Sequence, residues 1–509
     1  MKASSDILRK RYRWLLLLFP VICLHAIGVT QTYHQLGGIS YPFRAAPAIA
    51  QAGSGFHILY NNRLAQTVDS VLLKGDYWQV RLALDSVQTG RFEYDTFTRA
   101  YTNTKLWVSI PPGSPEDLYD LQVYAGGEVH LSKRSVKVVK SFSAKHTFIH
   151  ISDPHVSRNW IGSPGDGYAQ EIELLDRFVD VANIIAPDFV MVTGDLIHDY
   201  TRLDADAEGW GGSLVKEYDR LPTAEEKFRN FFEGAKGFRG VQSIDAPVFS
   251  IPGNHDFYGM PADDYPAKAM QWNSLCGKRV FGVSYAGTRL LFSDDYLGDP
   301  ITDIPDTSPM SGLQGEVLED FLNREGPGSL RILAQHRHNR FDTTFLDKHR
   351  IKLVLNGHNH TPKTDTLGAT PTLSMRPGAV CRSGEIKRWE KVLGLFRIFY
   401  VDGTDFQYTE PLRFCANPTA SYEEIILNLT LTFREDNSGK SAANTAVIAN
   451  KLPVDLPGCR VRFVMKKGTY RVSNGSVSQV VDTDTQTIID VRTDVKANGQ
   501  QTVAVKAIR

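Results

Sequence analysis

Hydrophobic and polar positions change their rhythm twice along the chain. Over residues 56 to about 142, apolar and polar residues alternate in short stretches, as in Trp78-Gln79-Val80-Arg81-Leu82-Ala83-Leu84 and Leu106-Trp107-Val108-Ser109-Ile110. Turn residues punctuate them at Pro111-Pro112-Gly113 and Gly126-Gly127. Alternation of period two with such punctuation predicts antiparallel strands in a small β-sandwich. From about Lys145 apolar strands alternate with amphipathic helices, the pattern of an α/β layer structure. One helix is predicted over 170–185, with Ile172, Leu175, Phe178, Val179, Ala182 and Ile185 on one face. A second starts at the capping box Thr223-Ala224-Glu225-Glu226, and a third covers 316–324. After about Pro411 the pattern is β only, through Ile425-Ile426-Leu427, Val461-Arg462-Phe463-Val464 and Thr502-Val503-Ala504-Val505.

At 509 residues the chain exceeds the roughly 250–300 at which a single core stops growing, so several units are expected. The changes of rhythm place them at 40–143 (N-terminal β-sandwich), 145–411 (α/β) and 418–509 (all-β). In the first, Glu116-Asp117-Leu118-Tyr119-Asp120-Leu121-Gln122-Val123 resembles the tyrosine-bearing corner of immunoglobulin-like domains, which implies that architecture. The first 28 residues differ from all of these. Lys2, Arg9, Lys10, Arg11 and Arg13 precede the apolar run from Trp14 to Leu24, and Ala26-Ile27-Gly28 follows with small residues. The run is shorter than the ~20 residues of a membrane span, and it is expected to be a cleaved signal for export, with an uncleaved N-terminal anchor as the alternative. The expected location is therefore secreted, periplasmic or in the cell envelope.

Composition changes this picture little. The chain is 42% hydrophobic and 22% charged with a formal net charge of +0, which excludes capture of nucleic acid by bulk charge. Beyond Cys23 there are four cysteines, Cys276, Cys381, Cys415 and Cys459, with no C-x-x-C pair. A thiolate metal site is not expected, and the four are either local staples or buried free thiols.

The chemistry sits at the ends of the apolar strands of the middle unit. Phe148-Ile149-His150-Ile151 runs into Ser152-Asp153-Pro154-His155, and Phe189-Val190-Met191-Val192 into Thr193-Gly194-Asp195. Val248-Phe249-Ser250-Ile251 runs into Pro252-Gly253-Asn254-His255-Asp256. Ile332-Leu333-Ala334-Gln335 leads to His336, and Leu353-Val354-Leu355 to Asn356-Gly357-His358-Asn359-His360. Open α/β sheets build their sites at the carboxyl ends of strands, so five such ends carrying Asp, Asn and His predict one convergent site. Asp153 with His155, and His358 with His360, can each turn two side chains to one ion. The carboxylate of Asp195 can bridge two ions, and Asn254 adds a neutral oxygen. An all-nitrogen-and-oxygen donor set suits Mn, Fe, Zn or Co.

In this order the motifs, D-x-H, G-D, G-N-H-D, H and G-H-x-H, are similar to those of the calcineurin-like metallophosphoesterases over 145–411. The resemblance implies a four-layer α/β/β/α sandwich. It implies one metal held by Asp153, His155, Asp195 and His360, and another held by Asp195, Asn254, His336 and His358. His255 matches the family's catalytic histidine, with Asp256 orienting its ring. The fourth motif, Gln335-His336-Arg337-His338, offers two histidines; His336 ends the strand, and His338 is the alternative. The chain departs from the purple acid phosphatases, since His155 stands where their first motif has glycine and Ile197-His198 lies in the neighbourhood of their tyrosine.

The expected activity is hydrolysis of a phosphomonoester or phosphodiester by a hydroxide bridging two divalent ions (Mn, Fe or Zn). The expected substrate is a small-molecule or envelope-derived phosphate ester. The competing expectation is a surface protein whose β domains contact a glycan or protein, with a vestigial phosphoesterase domain in the middle.

Overall fold

The computed structural model describes residues 34–95, 98–156, 167–197, 224–235, 237–257, 265–295, 313–326, 328, 330–337, 342–368, 372–377, 394–416 and 425–508. The segment expected to be an export signal, Thr223 of the capping box, His198, His338 and Cys381 lie outside them. No helix among the described residues is long and apolar enough to cross a membrane.

The middle of the chain holds two six-stranded sheets. In the first, β1 (Lys145–Ile151) lies between β2 (Phe189–Thr193), parallel to it, and β10 (Leu395–Asp402), antiparallel; β3 (Val248–Ile251) continues beyond β2. The second runs β4 (Phe281–Tyr285), β5 (Thr288–Phe292), β6 (Leu330–Ala334), β7 (Leu353–Leu355), β9 (Thr372–Arg376) and β8 (Lys363–Leu367), with β5, β6, β7 and β9 parallel.

The strands read as nearly unbroken apolar runs because both faces are covered. Phe148, Phe189, Met191 and Phe249 of the first sheet pack with Leu290, Ile332, Leu353 and Met375 of the second. The ring of Phe148 stacks on Phe399, with centroids 4.6 Å apart. Beyond the first sheet, Ile149, Ile151, Val190 and Val192 meet helix α1 (Gly167–Ile185) and the Phe228, Phe231 and Phe232 side of α2 (Ala224–Glu233). Beyond the second, Leu291, Leu333 and Val354 meet Leu318, Phe321 and Leu322 of α4 (Leu313–Glu325) and Phe345 and Leu346 of α5 (Thr343–Lys348).

Helix α1 shows the expected buried face and a second one. Leu174, Val181 and Ile184 are also buried, because the helix packs on one side against the first sheet and on the other against C-terminal strands at 429–433 and 456–466. Helix α3 (Tyr265–Leu275) was not foreseen; it has no clear amphipathic period, although Pro266 at its start is a usual opening residue.

N-terminal to β1, eight strands form one hydrogen-bonded path and a ninth pairs alongside it. A 17-residue strand, Gln79–Asp95, pairs first with Val68–Lys74 and then, after register shifts, with Ala100–Ser109. It therefore carries the sheet from one half to the other around a core of Ile58, Val71, Leu82, Leu106 and Val136. In the predicted corner, Tyr119 Oη donates to the Pro115 carbonyl at 2.6 Å and accepts from Trp78 Nε1 at 2.7 Å. The C-terminal strands form a four-stranded and a three-stranded sheet. Cys276, Cys415 and Cys459 are buried free thiols.

Candidate metal centre

The parallel registers align the carboxyl ends of β1, β2 and β3 in one sheet and of β6 and β7 in the other. Backbone hydrogen bonds stitch the loops that follow. His155 N–H donates to the Asp195 carbonyl (2.9 Å), Asp153 N–H to the Gly194 carbonyl (3.2 Å) and Gly357 N–H to the His336 carbonyl (2.9 Å). Two glycines are steric necessities. A Cβ on Gly253 would collide with the Asp195 carboxylate, and one on Gly357 with Ser152 Oγ and, at 2.6 Å, Asp153 Oδ2.

Asp153, His155, Asp195, His358 and His360 all have left-handed backbone, with φ of 54, 48, 54, 80 and 58°. L-residues adopt this region at a cost of order 1–3 kcal/mol each, and such strain gathers at functional sites.

The side chains so placed form two donor groups that share Asp195. Asp153, His155, Asp195 and His360 make one, and Asp195, His336 and His358 the other; within each, the donor atoms lie within 4.8 Å of one another. His155 Nε2 is 2.9 Å from His360 Nε2 and 3.6 Å from Asp195 Oδ2, and His360 Nε2 is 3.4 Å from Asp153 Oδ1. In the second group, Asn254 Oδ1 lies 3.1 Å from His336 Nε2 and 3.0 Å from His358 Nδ1. All nine candidates except His338 are therefore described, and seven donors converge; His255 stands beside them, its ring 4.7 Å from that of His155.

Electrostatics show what this arrangement lacks. Asp153 and Asp195 are fully buried, and a buried carboxylate is costly without a counter-charge. Asp195 Oδ2 sits 3.2 Å from His336 Nε2 and, among the described residues, has no well-aligned hydrogen-bond donor. Burial pushes the Asp195 carboxyl up, but His336, His255 and His358 hold it well below the usual carboxylate range. Burial likewise opposes charge on His336, yet Asp195 and then Asp153 raise it to about 10. Burial, and then His336, push His358 down to about 3. The pocket thus draws a proton onto one imidazole to balance its carboxylates. A divalent cation meets the same need, and the nitrogen and oxygen donors fit a pair of ions of the Mn, Fe or Zn kind.

The residues behind the donors fix their direction. His336 Nδ1–H donates to the Thr193 carbonyl at 2.6 Å, which turns the Nε2 lone pair into the pocket and ties the two sheets together at the site. Two findings extend the sequence reading. Asp256 accepts from Gly253 N–H (2.7 Å) and Ile197 N–H (3.0 Å), so it braces the loops after β2 and β3. His255 is placed through its backbone N–H, which donates to Asp195 Oδ1 at 2.9 Å. A sixth strand end escaped notice. Asp295, in Ser293-Asp294-Asp295 after β5, accepts the backbone N–H of Arg337, beside His336. Its signal was the same as the others: an apolar strand running into acids.

No curated protein matches the chain. Among solved structures, a dimetal phosphatase from Danio rerio aligns over 52% of this chain and 98% of its own, with 13% identity and a TM-score of 0.33. A predicted phosphoesterase from Streptococcus pneumoniae aligns over 52% and 88%, with 15% identity and a TM-score of 0.22. The GAP50 anchor of the inner membrane complex of Plasmodium aligns over 53% and 85%, with 10% identity and a TM-score of 0.30. The family model of the calcineurin-like phosphoesterases matches residues 146–362, the segment from β1 through both donor groups, and this segment of the chain is a calcineurin-like phosphoesterase domain.

Proposed function

We propose that the centre hydrolyses a phosphomonoester or phosphodiester with two divalent ions. One is held by Asp153, His155, Asp195 and His360, the other by Asp195, Asn254, His336 and His358. The observation that carries this reading is Asp195, a buried carboxylate common to both donor groups. When bound, such ions lower the pKa of water and offset the charge that develops on a phosphoryl group.

The chain's own residues supply the rest. Thr193 and Asp295 hold the His336 loop, fixing the direction of that donor. His255, half-buried at the side of His155, is the group positioned to hold a proton for the leaving oxygen. The family's four-layer arrangement is supported by the separate cores on the outer faces of the two sheets. The immunoglobulin-like reading of 40–143 is supported by the Tyr119 corner. Export to the periplasm or beyond, on the N-terminal pattern, favours an envelope-derived or scavenged small-molecule ester.

The test is metal analysis of the purified chain beginning after residue 28, with assays on p-nitrophenyl phosphate and bis-p-nitrophenyl phosphate. About two ions per chain and turnover abolished by chelator are expected for a dinuclear centre. A chain that binds no Mn, Fe or Zn and turns over neither ester would overturn the reading in favour of a binding protein.

A further inference from the structure

A second site is built where the N-terminal sheet meets the middle of the chain. A cleft of about 710 Å³ runs between Tyr41, His57 and Trp107 on one side and β4 and the end of α4 on the other. Lys105, Lys278 and Arg324 reach it from three different elements. Their partners are unusual. Lys105 Nζ lies 4.7 Å above the ring of Trp107, and Lys278 Nζ lies 5.5 Å from the ring of Tyr41 and 5.4 Å from that of Tyr94. Among the described residues none of the three cations has a carboxylate within ion-pair distance.

Nearby acids are engaged elsewhere. Asp95 pairs with Arg279 at 2.9 Å, Glu93 lies 3.7 Å from Arg99, and Glu325 accepts from Ser284 Oγ at 2.6 Å. An aromatic face holds an ammonium in place without neutralising it, so the positive charge stays available to an external anion. The field is strong enough to act on its neighbours. Burial and then Lys278, Lys105 and Arg324 push His57 down to about 4. Burial and then Arg324 bring Lys278 down to about 8, against the pull of Asp95.

The cleft also lies at the functional end of the fold. Arg279, next to Lys278, pairs with Asp294; the following residue, Asp295, holds the backbone of Arg337 beside His336. Edge strand β4 is two strand spacings from β6, which leads into His336, a lateral offset of roughly 10 Å.

We propose that this cleft is an anion site for a phosphate group, supplied either by a second phosphate of the substrate or by free inorganic phosphate. The first source rests on the phosphoesterase reading; the second does not. Binding energy from a remote phosphate would position an ester at the donor groups without taking part in the chemistry.

The experiment is calorimetric titration of the metal-loaded full chain with inorganic phosphate, repeated after chelator. Binding that survives the chelator and weakens with salt is expected from the cleft. It should weaken about 10-fold or more in Lys105→Gln/Arg324→Gln, since each lost contact is a hydrogen bond to a charged group. Arg324 is exposed, so Arg324→Gln alone checks the result without risk to the fold. Kinetics identify the source. A raised KM for a sugar bisphosphate, with kcat and p-nitrophenyl phosphate turnover unchanged, assigns it to the substrate. Unchanged KM for both esters, with the phosphate binding still lost, assigns it to free phosphate. Absence of chelator-resistant binding in the unaltered chain, or its persistence in the double variant, overturns the proposal. Failure of the phosphoesterase reading would instead appear as no turnover with this binding intact.

Discussion

His155 Nε2 and His360 Nε2 stand 2.9 Å apart with both rings buried and their planes inclined at 64°. One nitrogen can donate to the other, or both lone pairs can serve a shared cation. The approach of Asp153 Oδ1 to within 3.4 Å of His360 Nε2 favours the cation. His360→Ala should leave about one ion per chain and lower kcat about 100-fold or more, the scale of losing an electrostatic stabiliser. Asp195→Asn should empty both positions. Metal analysis of the two variants separates these outcomes; equal occupancy in both would refute the sharing of Asp195.

In the proposed function His255 donates a proton to the leaving oxygen, so its loss should depend on the leaving group. His255→Asn should slow hydrolysis of an alkyl phosphate by about 100-fold or more, and that of an activated aryl phosphate much less. Parallel loss on both esters would remove His255 from that role.

Metal uptake should release protons. In the metal-free fold His336 is raised to about 10, above its unfolded value near 6.5. Its contribution to stability is fully present below pH ~6.5 and is lost as pH rises through about 10. A bound ion requires the neutral ring, so loading at pH 8 should expel about one proton from this residue. Calorimetry in buffers of different ionisation enthalpy measures the number, and a value of zero would contradict the assignment.

The loop glycines should be irreplaceable for steric reasons. Gly253→Ala and Gly357→Ala press a methyl group onto the carboxylates of Asp195 and Asp153. Each variant should fold, with an unchanged circular dichroism spectrum, and bind metal about 10- to 100-fold more weakly, as when a supporting contact is lost.

Asp245 joins the three parts of the chain. Its carboxylate takes Arg134 of the N-terminal strands, at 2.5 Å, and Arg460 of the C-terminal ones. Burial opposes its charge, but Arg460 and Arg134 hold the carboxyl well below the usual range. Its stabilisation is present above pH ~4 and lost as pH falls through the depressed value. Asp245→Ala leaves two arginines without this partner and should cost about 3 kcal/mol in denaturant unfolding, with activity per folded molecule unchanged.

The donors were legible because each sits where an apolar run stops. Val192 is followed within three residues by Asp195, and Leu355 by His358, and the parallel registers then bring such ends together. What escaped was information carried by other parts of the chain. The second buried face of α1 exists because a C-terminal sheet covers it. The bends of the Gln79–Asp95 strand come from register shifts that a period of two does not encode. Asp256 takes the backbone N–H of Ile197, 59 residues away, a contact that no local pattern encodes.

The left-handed backbone at Asp153, His155, Asp195, His358 and His360 sets a limit on how this protein can be made more robust. Glycine would relax each of these positions, and each such change would delete a donor. The most accessible source of extra thermal resistance is therefore closed to selection for as long as activity is required. Adaptation to heat has to proceed elsewhere, in the outer helices and the flanking sheets, leaving the donor-bearing loops as the least negotiable part of the molecule.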